Sequence, residues 1–395
     1  MRVSRIVRDN YDRRPYPAPK VKTRYVPRWQ IAPMRWIEAM WSRRAAPNRI
    51  LVAGCGTGNE VFALHRFYPN AEIVGVDFSH RSIAIARNLH RRFFGKAKLK
   101  FRWADLTSRD FKKSAGGEFD FITCHGVLSY IEKPARGIAA LEKCLAADGA
   151  VYLGVNGPLH LSRLWRPALS EVGIDPGRFE DRPDLRRILR LFDAMAGHEP
   201  GDISESGAEY LSSDLFGPMI HNWPLARWTG LCAQNGLFLR GAYWPHRMLR
   251  EVLNQELHEQ LLPRTRAQVH QLTDKIAPTG FHWLVFDRNS ESPRLWTNES
   301  NLLRHAVVPT KLYRITWPAG RKIDRGSGTV VFRSESTNTH VEVRLPAAFI
   351  ELVRRSAPTE SLGNILRQLR HKIKPADLKK NLYLLYLLGA INLRE

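Results

Sequence analysis

From residue 49 to residue 155 the chain alternates short apolar runs with amphipathic stretches. Residues 49–53, 72–77, 98–104, 119–124 and 150–155 are brief and rich in β-branched and aromatic side chains, which predicts five strands. Between them, residues 60–67, 81–92 and 135–145 repeat apolar positions at helical spacing. Strands alternating with helices at this interval predict βαβ units and a parallel sheet. Right-handed crossovers would place helices on both faces, giving a doubly wound α/β fold.

Beyond residue 157 the pattern changes. Residues 158–222 are charged, broken by Pro and Gly, and helical in period, which predicts an insertion rather than more sheet. A helix over 225–234 and a strand over 237–244 follow, then helical sequence over 249–276 and a last strand over 281–286. Residues 288–300 are polar and linker-like. The remainder, 301–395, predicts a separate small α+β module, winged-helix-like, with strands near 312–316, 329–333 and 340–344 and helices at 346–355, 361–371 and 375–388. At the other end, prolines at 15, 17 and 19 predict an extended segment over residues 1–30 lying across the next domain, followed by a helix at 34–41. The expected organisation is a basic arm and cap helix over 1–48, a central domain over 49–290 with helical insertions at about 158–222 and 246–278, and an accessory domain over 301–395.

Composition changes this picture only locally. The net charge of +23 is carried by the ends. Residues 1–49 hold 13 Lys/Arg against 3 Asp/Glu and residues 300–395 hold 17 against 7, leaving 31 against 28 between them. Such ends suit nucleic acid, an anionic surface or an acidic partner, or simply solubility. No run of about 18 apolar residues is present, so no transmembrane segment is expected. The basic start lacks an apolar core behind it and does not read as a secretory signal. Cys55, Cys124, Cys144 and Cys232 form no CxxC pair and fall in core-like segments. They read as reduced thiols of a cytoplasmic protein, with no metal site expected.

The chemistry concentrates at the ends of the predicted strands. Ala53-Gly54-Cys55-Gly56-Thr57-Gly58 follows one strand and opens a helix, where glycine permits a tight turn and close approach of a ligand. Its spacing is not that of pyrophosphate binding, and no Gly-Lys-Ser/Thr follows to grip phosphate. Asp77 ends the second strand, 19 residues after Gly58, where a carboxylate can accept two bonds from a ribose diol or cap the next helix. Ser79 is placed to cap that helix. After the third strand, Asp105 could accept from an adenine amino group while Leu106 donates its amide; an Asp in such a loop also caps locally. His125-Gly126-Val127-Leu128-Ser129-Tyr130 follows the fourth strand, where a ligand crevice opens in sheets of this kind.

In this order the motifs resemble those of the class I methyltransferases, the Rossmann-like, seven-stranded, S-adenosylmethionine-dependent family. The resemblance runs over about residues 49–157 and includes Gly75-Val76-Asp77-Phe78-Ser79, Ala104-Asp105-Leu106 and Leu145-Ala146-Ala147-Asp148-Gly149-Ala150. It implies S-adenosylmethionine as cofactor, with Ala53, Gly54, Cys55, Gly56 and Gly58 against its methionine part. Asp77 would hold the ribose, Phe78 and Ser79 would stand beside the adenine side, and Asp105 and Leu106 would bind the base. His125 and Val127 would line the methyl-transfer side. Ser129-Tyr130 departs from the His pair frequent in relatives. The Tyr11 to Pro17 stretch resembles an N-terminal element of a subset of these enzymes, some of which carry C-terminal accessory domains and a few of which methylate protein lysines. It implies that Tyr16 lies over the cofactor site, unless it merely staples the tail to the core.

A sulfonium methyl is already electrophilic, so the enzyme's task is mainly alignment. An amine need only arrive deprotonated, whereas a hydroxyl acceptor wants a base, for which His125 is the candidate catalytic residue. The leading expectation is N- or O-methylation of a protein or small molecule. An RNA methyltransferase using the basic ends remains open, although no RNA-binding motif is visible. So does a non-catalytic cofactor-binding regulator whose C-terminal module binds a partner or nucleic acid. Oligomerisation is open as well.

Overall fold

The structure is a computed structural model, described here over residues 2–18, 34–41, 46–196, 203–253, 257–318, 327–334, 340–357, 359–369 and 372–394. The chain divides into two compact units. One comprises residues 1–31, 46–237 and 278–283, the other residues 32–45, 238–277 and 284–395.

Seven strands form one sheet: β1 Arg49–Ala53, β2 Glu72–Asp77, β3 Leu99–Trp103, β4 Phe119–His125, β5 Leu145–Asn156, β6 Phe238–Ala242 and β7 Phe281–Asp287. Their order is β3-β2-β1-β4-β5-β7-β6. β1 pairs in parallel with both β2 and β4, β2 with β3 and β4 with β5, while β6 and β7 are antiparallel. Ile50, Leu51, Val52 and Ala53 are wholly buried, as expected of a central strand covered on both faces. Asp120 ties the sheet at its base, accepting the Asn48 and Arg49 amides at 2.7 and 2.9 Å. The chain leaves β1 toward β2 on one side and reaches β4 on the other, so a crevice opens at their carboxyl ends.

The expected strands and helices of this region are all present, as is the helix Met34–Trp41, whose Trp36, Ile37, Met40 and Trp41 are buried. The insertion after β5 is helical, with Leu161–Glu171, Pro183–Met195 and the segment 208–215. These close on their own core of Trp165, Leu169, Leu185, Leu189, Leu211, Leu215 and Phe216.

The N-terminus differs from expectation. Residues Arg2–Arg13 form a helix rather than an extended strap. The proline argument reaches back only to Arg14, the residue before Pro15. Upstream no Pro or Gly opposes helix, and Val7 gains burial at 4% exposure. Residues 15–18 form no regular element and bend at Tyr16 and Pro17, and 19–33 lie outside the described residues.

The C-terminal region is α+β, with a three-stranded antiparallel sheet of β9 Tyr313–Thr316, β10 Ser327–Ser334 and β11 His340–Pro346. The helices Ala347–Arg355, Leu362–Gln368 and Pro375–Leu387 follow, as expected. Two further strands went unforeseen: β8 Ala306–Pro309 pairs antiparallel with β12 Ile391–Arg394. Each has only four residues, too few to show an alternating pattern. Among the described residues no helix is long and apolar enough to cross a membrane. All four cysteines are buried and unpaired.

Candidate active site

The glycine loop leaves β1 in a conformation only glycine adopts freely, with φ of +76° at Gly54, +50° at Gly56 and +94° at Gly58. The amides of Gly54 and Cys55 both donate to the Val76 carbonyl of β2, at 2.8 and 2.9 Å. A Cβ on Gly54 would lie 2.2 Å from Val127 Cγ2, and one on Gly56 would lie 2.2 Å from the Tyr16 carbonyl oxygen. Glycine is therefore required at both positions, because a side chain would collide with the segments packed on the loop. Gly54 meets the segment after β4, and Gly56 meets the N-terminal segment.

Asp77 ends β2 with 8% exposure. One carboxylate oxygen accepts the Gly56 amide at 2.9 Å and the other accepts the Ser79 amide at 2.8 Å. The Phe78 amide also donates to this carboxylate, so of its four lone-pair positions three are engaged by backbone amides and one remains open. Burial raises the Asp77 pKa to about 6, against the pull of the Ser79 and Gly56 amides. Ser79 caps the helix His80–Phe93, accepting the Ser82 amide at 3.1 Å, and its hydroxyl donates to Asp12 at 2.7 Å. Phe78 packs against Tyr11 with ring centroids 5.9 Å apart, and its carbonyl accepts from the Trp103 indole at 2.8 Å.

Asp105 follows β3. One of its oxygens accepts both the amide and the hydroxyl of Thr107, at 2.8 and 2.7 Å, so the local capping role is present in the fold. Leu106 beside it is buried. At the end of β4 the His125 ring is open to the crevice yet lies within 5.0 Å of the Phe281 ring, and its Nδ1 bonds the Tyr152 hydroxyl at 2.8 Å. Gly154 leaves room for that ring: a Cβ there would stand 2.4 Å from Nδ1. Desolvation lowers the His125 pKa to about 4, so it is neutral near pH 7 and a weak base.

The N-terminal segment lies over the glycine loop, with the Tyr16 carbonyl against Gly56. The Thr57 hydroxyl donates to the Pro17 carbonyl at 2.7 Å and the Asn59 amide group to the Ala18 carbonyl at 3.2 Å. The first helix is pinned to the insertion where Asn10 donates to the Ser212 carbonyl at 3.1 Å.

Sequence reading missed a second polar cluster beside this crevice. Asp214, in a single turn of π-helix Leu211–Leu215, accepts the Tyr130 hydroxyl at 2.6 Å, the Ser213 hydroxyl at 2.9 Å and the Tyr16 hydroxyl. Tyr130 also reaches the Asn156 side chain, at the end of β5, within 3.4 Å. The only signal available was Tyr130, at the position where the sequence departs from its relatives. Asp214 carried none, because it is brought in by the insertion.

At the carboxyl ends of β1 and β2 the structure brings together three glycines of positive φ and the buried carboxylate of Asp77, a donor set that suits a cofactor with a ribose diol. The sequence family described as "Methyltransferase domain" matches residues 51–151. An uncharacterized protein of Synechococcus, syc1184_c, is 32% identical over 179 residues, 45% of this chain and 37% of that protein. The ubiquinone biosynthesis O-methyltransferase of Aromatoleum aromaticum is 29% identical over 130 residues, 32% of this chain and 52% of that enzyme. This chain thus spans between about a third and about half of these curated relatives' lengths. In fold, it resembles the solved structure of PKMT2 from Rickettsia typhi in complex with AdoHcy, with a TM-score of 0.51 and 16% identity over 96% of this chain and 77% of that one. Residues 51–151 are therefore similar to a methyltransferase domain, and the fold around them resembles that of PKMT2.

Proposed function

We propose that this protein transfers the methyl group of S-adenosylmethionine to an acceptor on a protein or small molecule. The observation that carries the reading is the bond from Gly56 to Asp77, which joins the glycine loop to a buried carboxylate at the ends of adjacent parallel strands. In this reading Ala53 through Gly58 lie along the methionine part, Asp77 takes the ribose diol, and Phe78 and Ser79 border the base. Asp105 and Leu106 close the adenine side, and His125 and Val127 line the path of the methyl group. Tyr16 and its neighbours cover the loop.

When bound, the cofactor supplies an electrophilic methyl carbon on a sulfonium. The protein's own contribution is to hold the acceptor in line and exclude water. His125, at the open end of β4 with its Nδ1 held by the Tyr152 hydroxyl, is the candidate base should the acceptor be a hydroxyl.

Calorimetry with S-adenosylhomocysteine tests the cofactor reading. Binding to the wild type, weakened at least tenfold in Asp77→Ala, is expected; no binding, or equal binding by the variant, would overturn it. Labelled methyl transfer into protein and small-molecule fractions of a lysate tests the acceptor side, and label confined to RNA would refute it.

A further inference from the structure

At the end of β4 the two ring nitrogens of His125 have different surroundings. Nδ1 lies 2.8 Å from the Tyr152 hydroxyl. Nε2 has no protein partner among the described residues, and the residue is exposed at the strand's open end. The sheet builds this pairing. Tyr152 and His125 come from adjacent parallel strands, with His125 in register with Gly154. A Cβ at Gly154 would lie 2.4 Å from Nδ1, so glycine there gives the ring the space to meet the hydroxyl. The His125 and Tyr152 rings are 25° from parallel, and the Phe281 ring stands 5.0 Å from His125.

The contact alone leaves open which group donates, because a neutral imidazole carries its hydrogen on either nitrogen. The surroundings of Tyr152 decide it. Tyr152 is 3% exposed, and among the described residues His125 Nδ1 is the one hydrogen-bond partner of its hydroxyl. Burial, with the Glu60 carboxylate near, pushes the Tyr152 pKa well up, so the hydroxyl keeps its proton. A buried donor left without an acceptor is rarer and costlier than an acceptor with a spare lone pair. With hydrogen on Nδ1, the Tyr152 O–H would be buried and unpaired. With Nδ1 bare, that O–H donates to it and only a phenolic lone pair goes unused. The imidazole hydrogen then resides on Nε2.

We propose that Tyr152 is a positioning residue that holds His125 in its Nε2–H tautomer, so that His125 offers the methyl acceptor a hydrogen-bond donor. The tautomer stands on the geometry alone, whereas the role toward an acceptor rests on the methyltransferase reading above. The proposal turns the candidate base into a donor. To take the proton of a hydroxyl at Nε2, the ring would need its other tautomer, which strands the Tyr152 hydroxyl. The acceptor therefore reaches the methyl group with its attacking lone pair already free, and His125 orients it through a neighbouring oxygen.

The test uses the full chain with isotope-labelled histidine, read by nitrogen NMR at neutral pH with and without saturating S-adenosylhomocysteine, whose affinity is measured in parallel. Among the 14 histidines, the His125 signal is the one missing from His125→Gln. The expected wild-type spectrum has Nε2 protonated and Nδ1 bare in both states. In Tyr152→Phe the Nδ1 signal should shift as its hydrogen bond is lost, and the Nδ1–H form should appear. Gly154→Ala, which displaces the ring and leaves the hydroxyl in place, should do the same and carries the test if Tyr152→Phe does not fold. Acetate, added as an oxygen-bearing probe, should shift Nε2 and leave Nδ1 in place, and methylammonium, which has no acceptor atom, should shift neither. A wild-type hydrogen on Nδ1 overturns the proposal, as does a His125 spectrum unchanged by the variants. A Nε2 signal indifferent to acetate overturns the donor role. Wild-type protein that binds S-adenosylhomocysteine and fails these tests refutes this proposal alone, whereas protein that shows the tautomer but does not bind S-adenosylhomocysteine refutes the cofactor reading.

Discussion

The Gly56 amide donates to the Asp77 carboxylate at 2.9 Å, so the loop after β1 is fastened to the end of β2 before any ligand arrives. The same carboxylate holds the Ser79 amide at 2.8 Å and so sets the start of the next helix. One buried anion thereby positions the loop, the helix terminus and its own remaining lone pair.

Cofactor affinity should depend on pH through this group. With a folded-state pKa near 6, Asp77 is protonated in mild acid, where it can accept fewer bonds from a diol. A ligand that prefers the ionised form must displace that proton, so affinity should fall up to about tenfold per pH unit below 6 and level off above it. Calorimetry with S-adenosylhomocysteine between pH 5 and pH 8 reads this directly. Asp77→Asn should bind about 10- to 100-fold more weakly at pH 7.5 and lose the dependence, since hydrogen bonds to a charged acceptor contribute about 1.5–3 kcal/mol. The stability sign runs opposite. A carboxylate raised from its ordinary 3.8 stabilises the fold most below that value, and the contribution is lost as pH rises through about 6.

Gly56→Ala should be more damaging than a single methyl suggests. The backbone there has φ of +50° and the new Cβ would strike the Tyr16 carbonyl oxygen at 2.2 Å. Either the loop or the N-terminal segment must move. Limited proteolysis should then cut between residues 1 and 18 faster than in the wild type, with cofactor affinity reduced at least tenfold. Wild-type cleavage rates together with wild-type affinity would show that the two do not touch in solution.

Ser79→Ala removes the acceptor for the Ser82 amide and the donor to Asp12 together. Loss of a helix cap costs about 1 kcal/mol, and the chemical-denaturation midpoint should fall accordingly. Asp12→Asn should cost less, because it leaves the cap itself in place.

In the second unit, Arg266 is fully buried and lies over the Tyr386 ring at 4.1 Å, donating to the Tyr386 carbonyl at 2.6 Å and to Asn392 at 3.2 Å. It closes the C-terminal strand β12 onto the helix Arg266–Ile276. Arg266→Ala should destabilise this unit by about 1–3 kcal/mol for each buried acceptor it leaves without a donor. Hydrogen exchange in β8 and β12 should rise before exchange in β1 and β4 does.

Much of the central sheet was legible because its elements are local. Ile50, Leu51, Val52 and Ala53 are all apolar because both faces of β1 are covered, and the glycines that follow are demanded by backbone angles that neighbours along the chain cannot change. Asp77 and Asp105 were legible as strand-end carboxylates for the same reason, although the bonds that Asp105 makes to Thr107 were not. The helix Arg2–Arg13 was misread because three downstream prolines were given influence over residues they do not touch. β8 and β12 escaped because four-residue strands 85 positions apart carry no periodic signal, and only their pairing defines them.

The sequence by itself therefore determined the doubly wound sheet, the glycine loop and the carboxylate beside it, since each follows from propensity and turn chemistry within a few residues. Tertiary structure alone decided that Asp214 would meet Tyr16 and Tyr130, residues separated from it by 198 and 84 positions. No local preference encodes that meeting. It exists because the insertion folds on its own apolar core and the first helix packs against it.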